Sequence, residues 1–211
     1  MTIRILVAAL ALLAATPDFA QDAPPRSALP AREPGAEELL AALRHGGYVL
    51  YFRHAATDFS QNDEKMKRYE DCADQRNLID QGRADARAAG AAIRALKIPV
   101  DRVLASPFCR TVETAQLLFG RAEKLQEVRG GPALSRESDR YAELRKILST
   151  PVRPGANLVV VSHGNPFFSL AGPPYLAEGE AAVVEPLGRD FRIFARVRID
   201  GWDALKGTRP K

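Results

Sequence analysis

The sequence is poor in metal-binding side chains: two cysteines and three histidines among 211 residues, with no chelating spacing among them. A zinc site needs four such ligands in closely spaced groups, so neither a metal nor another cofactor is expected. It also lacks any block of like charge. Thirty Lys and Arg and 26 Asp and Glu are spread along the chain and leave a formal charge of +4. Nucleic-acid binders concentrate their basic residues, so no nucleic-acid partner is expected; a modest positive excess suits a small anionic ligand. No internal repeat is present. Apolar residues make up 46% and charged residues 27% of the chain, the balance of a globular protein with room for one full core.

The apolar run 5–15 is too short to span a bilayer, which takes about 20 residues. With Arg4 before it and the polar stretch 16–20 after it, residues 1–20 read as a signal peptide cut after Ala20, although Asp18 suits the third position before the cut poorly. No cysteine follows to carry a lipid anchor. A periplasmic or secreted protein is expected, with no stable membrane insertion after cleavage. Residues 21–35, with four prolines and no periodicity, read as a flexible leader, and 36–205 as the folded domain.

The stretch YVLYFRHAATD, residues 48–58, organises this domain. An apolar, β-branched and aromatic run after Gly46 and Gly47 reads as a buried strand that ends abruptly in Arg53 and His54. A short amphipathic helix, 36–44, precedes it, and a long polar loop, 59–75, follows. Residues 80–97 read as an alanine-rich helix ended by Pro99, and 102–105 as a second strand. Ser106-Pro107 reads as the N-cap and first position of a helix running to 119. A helix over 137–149 leads to the strand NLVVVS, 157–162. Residues 181–185 read as a strand. Residues 191–199 alternate, with Phe191, Ile193, Ala195, Val197 and Ile199 on one face, as in an edge strand. Strands alternating with helices predict an α/β fold: a three-layer α/β/α sandwich with a mostly parallel central sheet and an antiparallel edge strand.

In a parallel sheet the strand ends share one edge, where such folds place their ligands. Arg53 and His54, Ser106 with Arg110, and His163 would therefore converge there. Two guanidiniums and two imidazoles near a helix N-terminus make an anion site suited to a phosphoryl group. A neutral imidazole can attack phosphorus in line and hold it covalently, with neighbouring cations favouring the neutral form.

These blocks resemble those of the histidine phosphatase superfamily, which includes the phosphoglycerate mutases. FRHAAT at 52–57 is similar to its Arg-His-Gly-x-Thr block, with Ala55 in place of glycine. SPFCRTVETA at 106–115 and SHGN at 162–165 match two further blocks, and the resemblance spans roughly Tyr48 to Val197. It implies His54 as nucleophile, Arg53 and Arg110 as phosphate clamps, His163 as transition-state stabiliser, and Thr57 and Asn165 beside the phosphate. The implied activity is hydrolysis of a small-molecule or cell-envelope phosphate through a phosphohistidine. A phosphate-binding protein without turnover and a phosphomutase are the alternatives. The family's leaving-group acid has no clear counterpart, since Gly164 follows the second histidine. Glu180 is the favoured candidate, with Glu137, Glu178 and Asp58 behind it.

Arg44-His45-Gly46 spells the first block more literally, but it ends a helix, where a basic pair before glycine is ordinary capping chemistry. His45 therefore reads as structural. Cys72 and Cys109, an even count in an exported chain, are expected to form a disulfide that ties the long loop and its Arg76 against the site.

Overall fold

The run VLYFR becomes β1, Val49–Arg53, and its first four side chains are fully buried. In this computed structural model, which describes residues 33–130 and 139–207, β1 lies inside a six-stranded sheet. The expected signal peptide and residues 21–32 of the expected leader lie outside the described residues, as does Glu137. Among the described residues no helix is long and apolar enough to cross a membrane.

The chain runs α1 (Ala36–His45), β1, α2 (Asp80–Ala95), β2 (Val100–Ala105), α3 (Cys109–Phe119) and β3 (Glu123–Lys124). It continues through α4 (Ala142–Ser149), β4 (Asn157–Ser162), α5 (Gly164–Ala171), β5 (Ala181–Pro186), β6 (Phe191–Val197) and α6 (Gly201–Ala204). The strand order is β3-β2-β4-β1-β5-β6. β1, β2, β3 and β4 are mutually parallel, β5 pairs antiparallel with β1, and β6 forms the edge, antiparallel to β5. The expected mostly parallel sheet is present, with antiparallel pairing beginning one strand further in.

The strands present apolar side chains to both faces, so the sheet needs a helical layer on each. Leu50, Phe52, Val103, Val159 and Val161 pack with α1, α2, α3 and α6, while Val49, Tyr51, Leu104 and Val160 pack with α4 and α5. α2 and α3 approach closely at Gly90, where a Cβ would stand 2.5 Å from the Leu118 carbonyl oxygen.

Two local expectations are corrected. The alternating residues of β6 do not share one face. A bulge between Val183 and Val184 shifts the register, so Phe191 and Ile193 join one core and Ala195 and Val197 the other. Ser106 does not cap α3. It continues β2, its N–H donating to the Val161 carbonyl at 3.0 Å, and the helix starts three residues later. The first helical N–H, of Cys109, is satisfied instead by the Gln75 side-chain oxygen at 2.9 Å. The Cys72–Cys109 disulfide pins the same loop to the same point, with Cα atoms 5.7 Å apart.

Candidate active site

Parallel pairing places the C-terminal ends of β1, β2 and β4 side by side. Arg53 stands opposite Ser162, and the His54 N–H extends the ladder by donating to the Ser162 carbonyl at 3.0 Å. His54 and His163 follow their strands directly, and their rings meet edge to face with centroids 5.6 Å apart.

His54 is 2% exposed. Its Nδ1 donates to its neighbour's carbonyl, Ala55 O, at 2.9 Å, which leaves Nε2 with a free lone pair. Burial, reinforced by the Arg110, Arg53 and Arg76 charges, lowers its pKa from 6.5 to about 3. His163 is also held well below the ordinary range by burial, with His54 and Arg110 adding to the effect. Its Nε2 pairs with the Ser106 hydroxyl at 2.8 Å, its carbonyl accepts from Tyr51 Oη at 2.8 Å, and its ring stands on Phe108.

The arginines are held from behind. Arg53 donates to the Leu176 carbonyl at 2.8 Å and to Glu178 at 3.4 Å. Glu178 also accepts from the Thr57 hydroxyl at 2.6 Å, so Thr57 is buried in this support and does not line the cavity. Arg110, 5% exposed, grips Asp63 with both terminal nitrogens, at 2.9 and 3.0 Å. Partial burial alone would raise the Asp63 carboxyl, but the Arg110 hydrogen bonds and the Arg76 N–H outweigh it and hold it below the carboxylate range.

A cavity of about 250 Å³ opens over His54 and His163. The sequence-derived Arg53, Arg76, Arg110 and Asn165 line it, together with Arg129, Arg140, Tyr141 and Tyr175 from loops that carry no motif. The Tyr175 ring occupies the space beside Gly164, where a Cβ would stand 2.3 Å from it. Any side chain directly after the second histidine would displace that wall. The Nε atoms of Arg53, Arg76, Arg110 and Arg140 are buried with no hydrogen-bond partner among the described residues. The concentration of guanidiniums along the cavity suits an oxyanion.

The structure does not bring Glu180 into this cavity. Its carboxylate is taken up by Arg196, at 2.8 and 3.1 Å, and by the Ala177 N–H at 2.7 Å. β6 supplies that arginine, and nothing in the local sequence around Glu180 signals the pairing. Asp58 accepts from the Ser60 N–H and hydroxyl, away from the cavity. His45 is exposed at the opposite end of β1. Among the described residues no group of three or more His, Cys, Asp or Glu side chains could hold a metal ion.

The model of the histidine phosphatase superfamily (branch 1) matches residues 49–143, a span that includes Arg53, His54 and Arg110. The match supports the histidine phosphatase superfamily. The fold agrees. A crystal structure of a candidate phosphohistidine phosphatase SixA from Agrobacterium tumefaciens is 16% identical with a TM-score of 0.50, covering 72% of this chain and 97% of that one. The protein histidine phosphatase SixA complexed with tungstate is 20% identical with a TM-score of 0.52, over 72% and 97%. Phosphoglycerate mutase from Bacillus anthracis is 11% identical with a TM-score of 0.53, over 78% and 99%. At these identities the likeness establishes the histidine phosphatase fold. No curated protein matches the sequence.

The buried histidines make this site acid-sensitive. Unfolded His54 binds a proton below about pH 6.5, whereas the folded residue stays neutral to about pH 3. The unfolded state thus binds more protons in that window, so stability falls as pH drops through it. The slope is up to about 1.4 kcal/mol per pH unit for each such histidine. Asp63 adds its loss only below the ordinary carboxylate range, which leaves pH 6.5 to 4.5 to the histidines. Urea midpoints across that window should fall in the parent and fall less steeply in His54→Asn. Equal slopes would mean that His54 titrates normally.

Proposed function

We propose that this protein is a phosphatase that transfers a phosphoryl group to His54 Nε2 and then to water. The observation that carries the reading is the free Nε2 of a neutral histidine in a cavity that Arg53, Arg110 and His163 also line. In the first step the N–P bond forms as the bond from phosphorus to the leaving atom breaks in line. Arg53, Arg110 and His163 stabilise the charge on the equatorial oxygens. In the second, water attacks the phosphohistidine, the N–P bond breaks, and phosphate and neutral imidazole are released.

No carboxylate lines the cavity among the described residues. The reading therefore favours substrates whose leaving group departs without a strong push from a protein acid. Aryl phosphates, acyl phosphates and phosphoramidates meet this condition, and a phosphoramidate is the kind of substrate for which the tungstate-bound relative is named. An oxidising compartment suits the Cys72–Cys109 bond, which is compatible with export.

Phosphate release across a series of aryl and alkyl phosphates tests this. Turnover should fall steeply as the leaving group becomes more basic, and Glu180→Gln should leave that dependence unchanged. Selective loss on poor leaving groups in Glu180→Gln or Glu137→Gln would assign a protein acid and overturn the leaving-group reading. Binding of vanadate with no release from any substrate would favour an anion-binding protein instead.

A further inference from the structure

The reacting phosphoryl group needs His54, His163, Arg53 and Arg110, yet the cavity holds three more arginines. Arg129 and Arg140 lie on its wall away from the strand ends. Gly130 draws them together. Its φ is +97°, and a Cβ there would stand 2.5 Å from the Tyr141 ring, so the backbone after Arg129 lies against the residue after Arg140. The Arg129 guanidinium is carried on two rings, 5.3 Å from the Phe108 centroid and 5.9 Å from that of Tyr69. Arg140 lies over Tyr141 at 5.3 Å and keeps a buried Nε with no partner among the described residues. Neither forms an ion pair with a carboxylate among the described residues, whereas Arg53 and Arg110 each have one. Phe108 links the two groups, since Arg110 also stacks on it at 4.4 Å.

We infer that Arg129 and Arg140 form a second anion subsite, and that the substrate carries another negatively charged group, carboxylate or phosphate, a few atoms from the phosphoryl group that reacts. The inference rests on the phosphatase reading of the His54 site. A bare alcohol or phenol as leaving group would offer these two half-buried cations nothing to bind. An anionic leaving portion completes their hydrogen bonding with the bidentate fit that guanidinium offers. Aromatic backing holds both side chains ready, which lowers the ordering cost on binding.

Non-hydrolysable probes separate binding from turnover. Calorimetry on the full chain would compare methylphosphonate, with one anionic group, and phosphonoacetate, with a carboxylate two bonds further on. Phosphonoacetate should bind at least about tenfold more tightly. That gain should vanish in Arg129→Gln/Arg140→Gln, with methylphosphonate affinity held to within about threefold. The gain should persist in Arg198→Glu, which lowers the net charge by the same amount as the double variant at an exposed site on the β6 side. Circular dichroism and the retained methylphosphonate affinity establish that the double variant is folded; if it is not, the single variants should each lose part of the gain. Equal affinity for the two probes, or a gain that survives in the variants, overturns the second subsite and leaves the phosphatase reading standing. A gain lost equally in Arg198→Glu would reduce it to net charge. Failure of methylphosphonate to bind the parent protein would remove both.

Discussion

Replacing His54 with alanine should abolish turnover, by on the order of 10⁴-fold or more for a lost nucleophile. It should also abolish the acid-labile phosphoenzyme trapped by rapid quench. His45→Ala should leave both nearly intact. The two histidines each follow an arginine, and the chain separates them by β1 itself, about 16 Å at roughly 3.3 Å per residue. Only His54 has a buried ring whose Nδ1 is committed to Ala55 O, leaving Nε2 unprotonated. His45 is exposed at the end of α1, and its carbonyl serves the Gly155 N–H. Phosphate trapped on His45, or normal turnover in the His54 variant, would sink the assignment.

Arg110→Ala should cut kcat/KM by a hundredfold or more, about 3 kcal/mol for one charge stabiliser. Vanadate, which resembles the five-coordinate phosphoryl transition state, should lose affinity in parallel. Two terminal nitrogens of Arg110 are occupied by Asp63, so the guanidinium is fixed in plane at the cavity wall. Lysine cannot grip Asp63 with one edge and offer another, so Arg110→Lys should rescue little. Asp63→Asn should lose less than Arg110→Ala, because an amide oxygen still accepts one of the hydrogen bonds. Unchanged vanadate affinity in Arg110→Ala would place that residue outside the site.

The strand ends were legible because each joins two signals: an apolar β-branched run and polar residues directly after it. Residues 49–54, 102–110 and 157–163 read this way, and the parallel sheet aligns them. The walls of the cavity were not legible. Arg129, Arg140 and Tyr175 sit in segments without periodicity, and only the folded chain brings them to His163. Asp63 lies in a polar loop where an acid is commonplace, and its value comes from meeting Arg110 across 47 residues. Glu180 illustrates the reverse error. Its proximity to the site edge was legible, but its partner Arg196 reads from sequence as one more exposed arginine of an alternating strand. β3 is only two residues long, too short for any pattern.

The disulfide also divides the chain topologically. Cys72 and Cys109 close a covalent ring that contains α2 and β2. A single proteolytic cut inside the ring leaves both pieces joined, with His54 on one arm and Arg110 and His163 on the other. A cut in the exposed stretch between Phe59 and Glu70 falls outside the ring and severs the piece bearing Arg53 and His54 from the one bearing Arg110 and His163. The same loop is thus safe to nick on one side of Cys72 and not on the other.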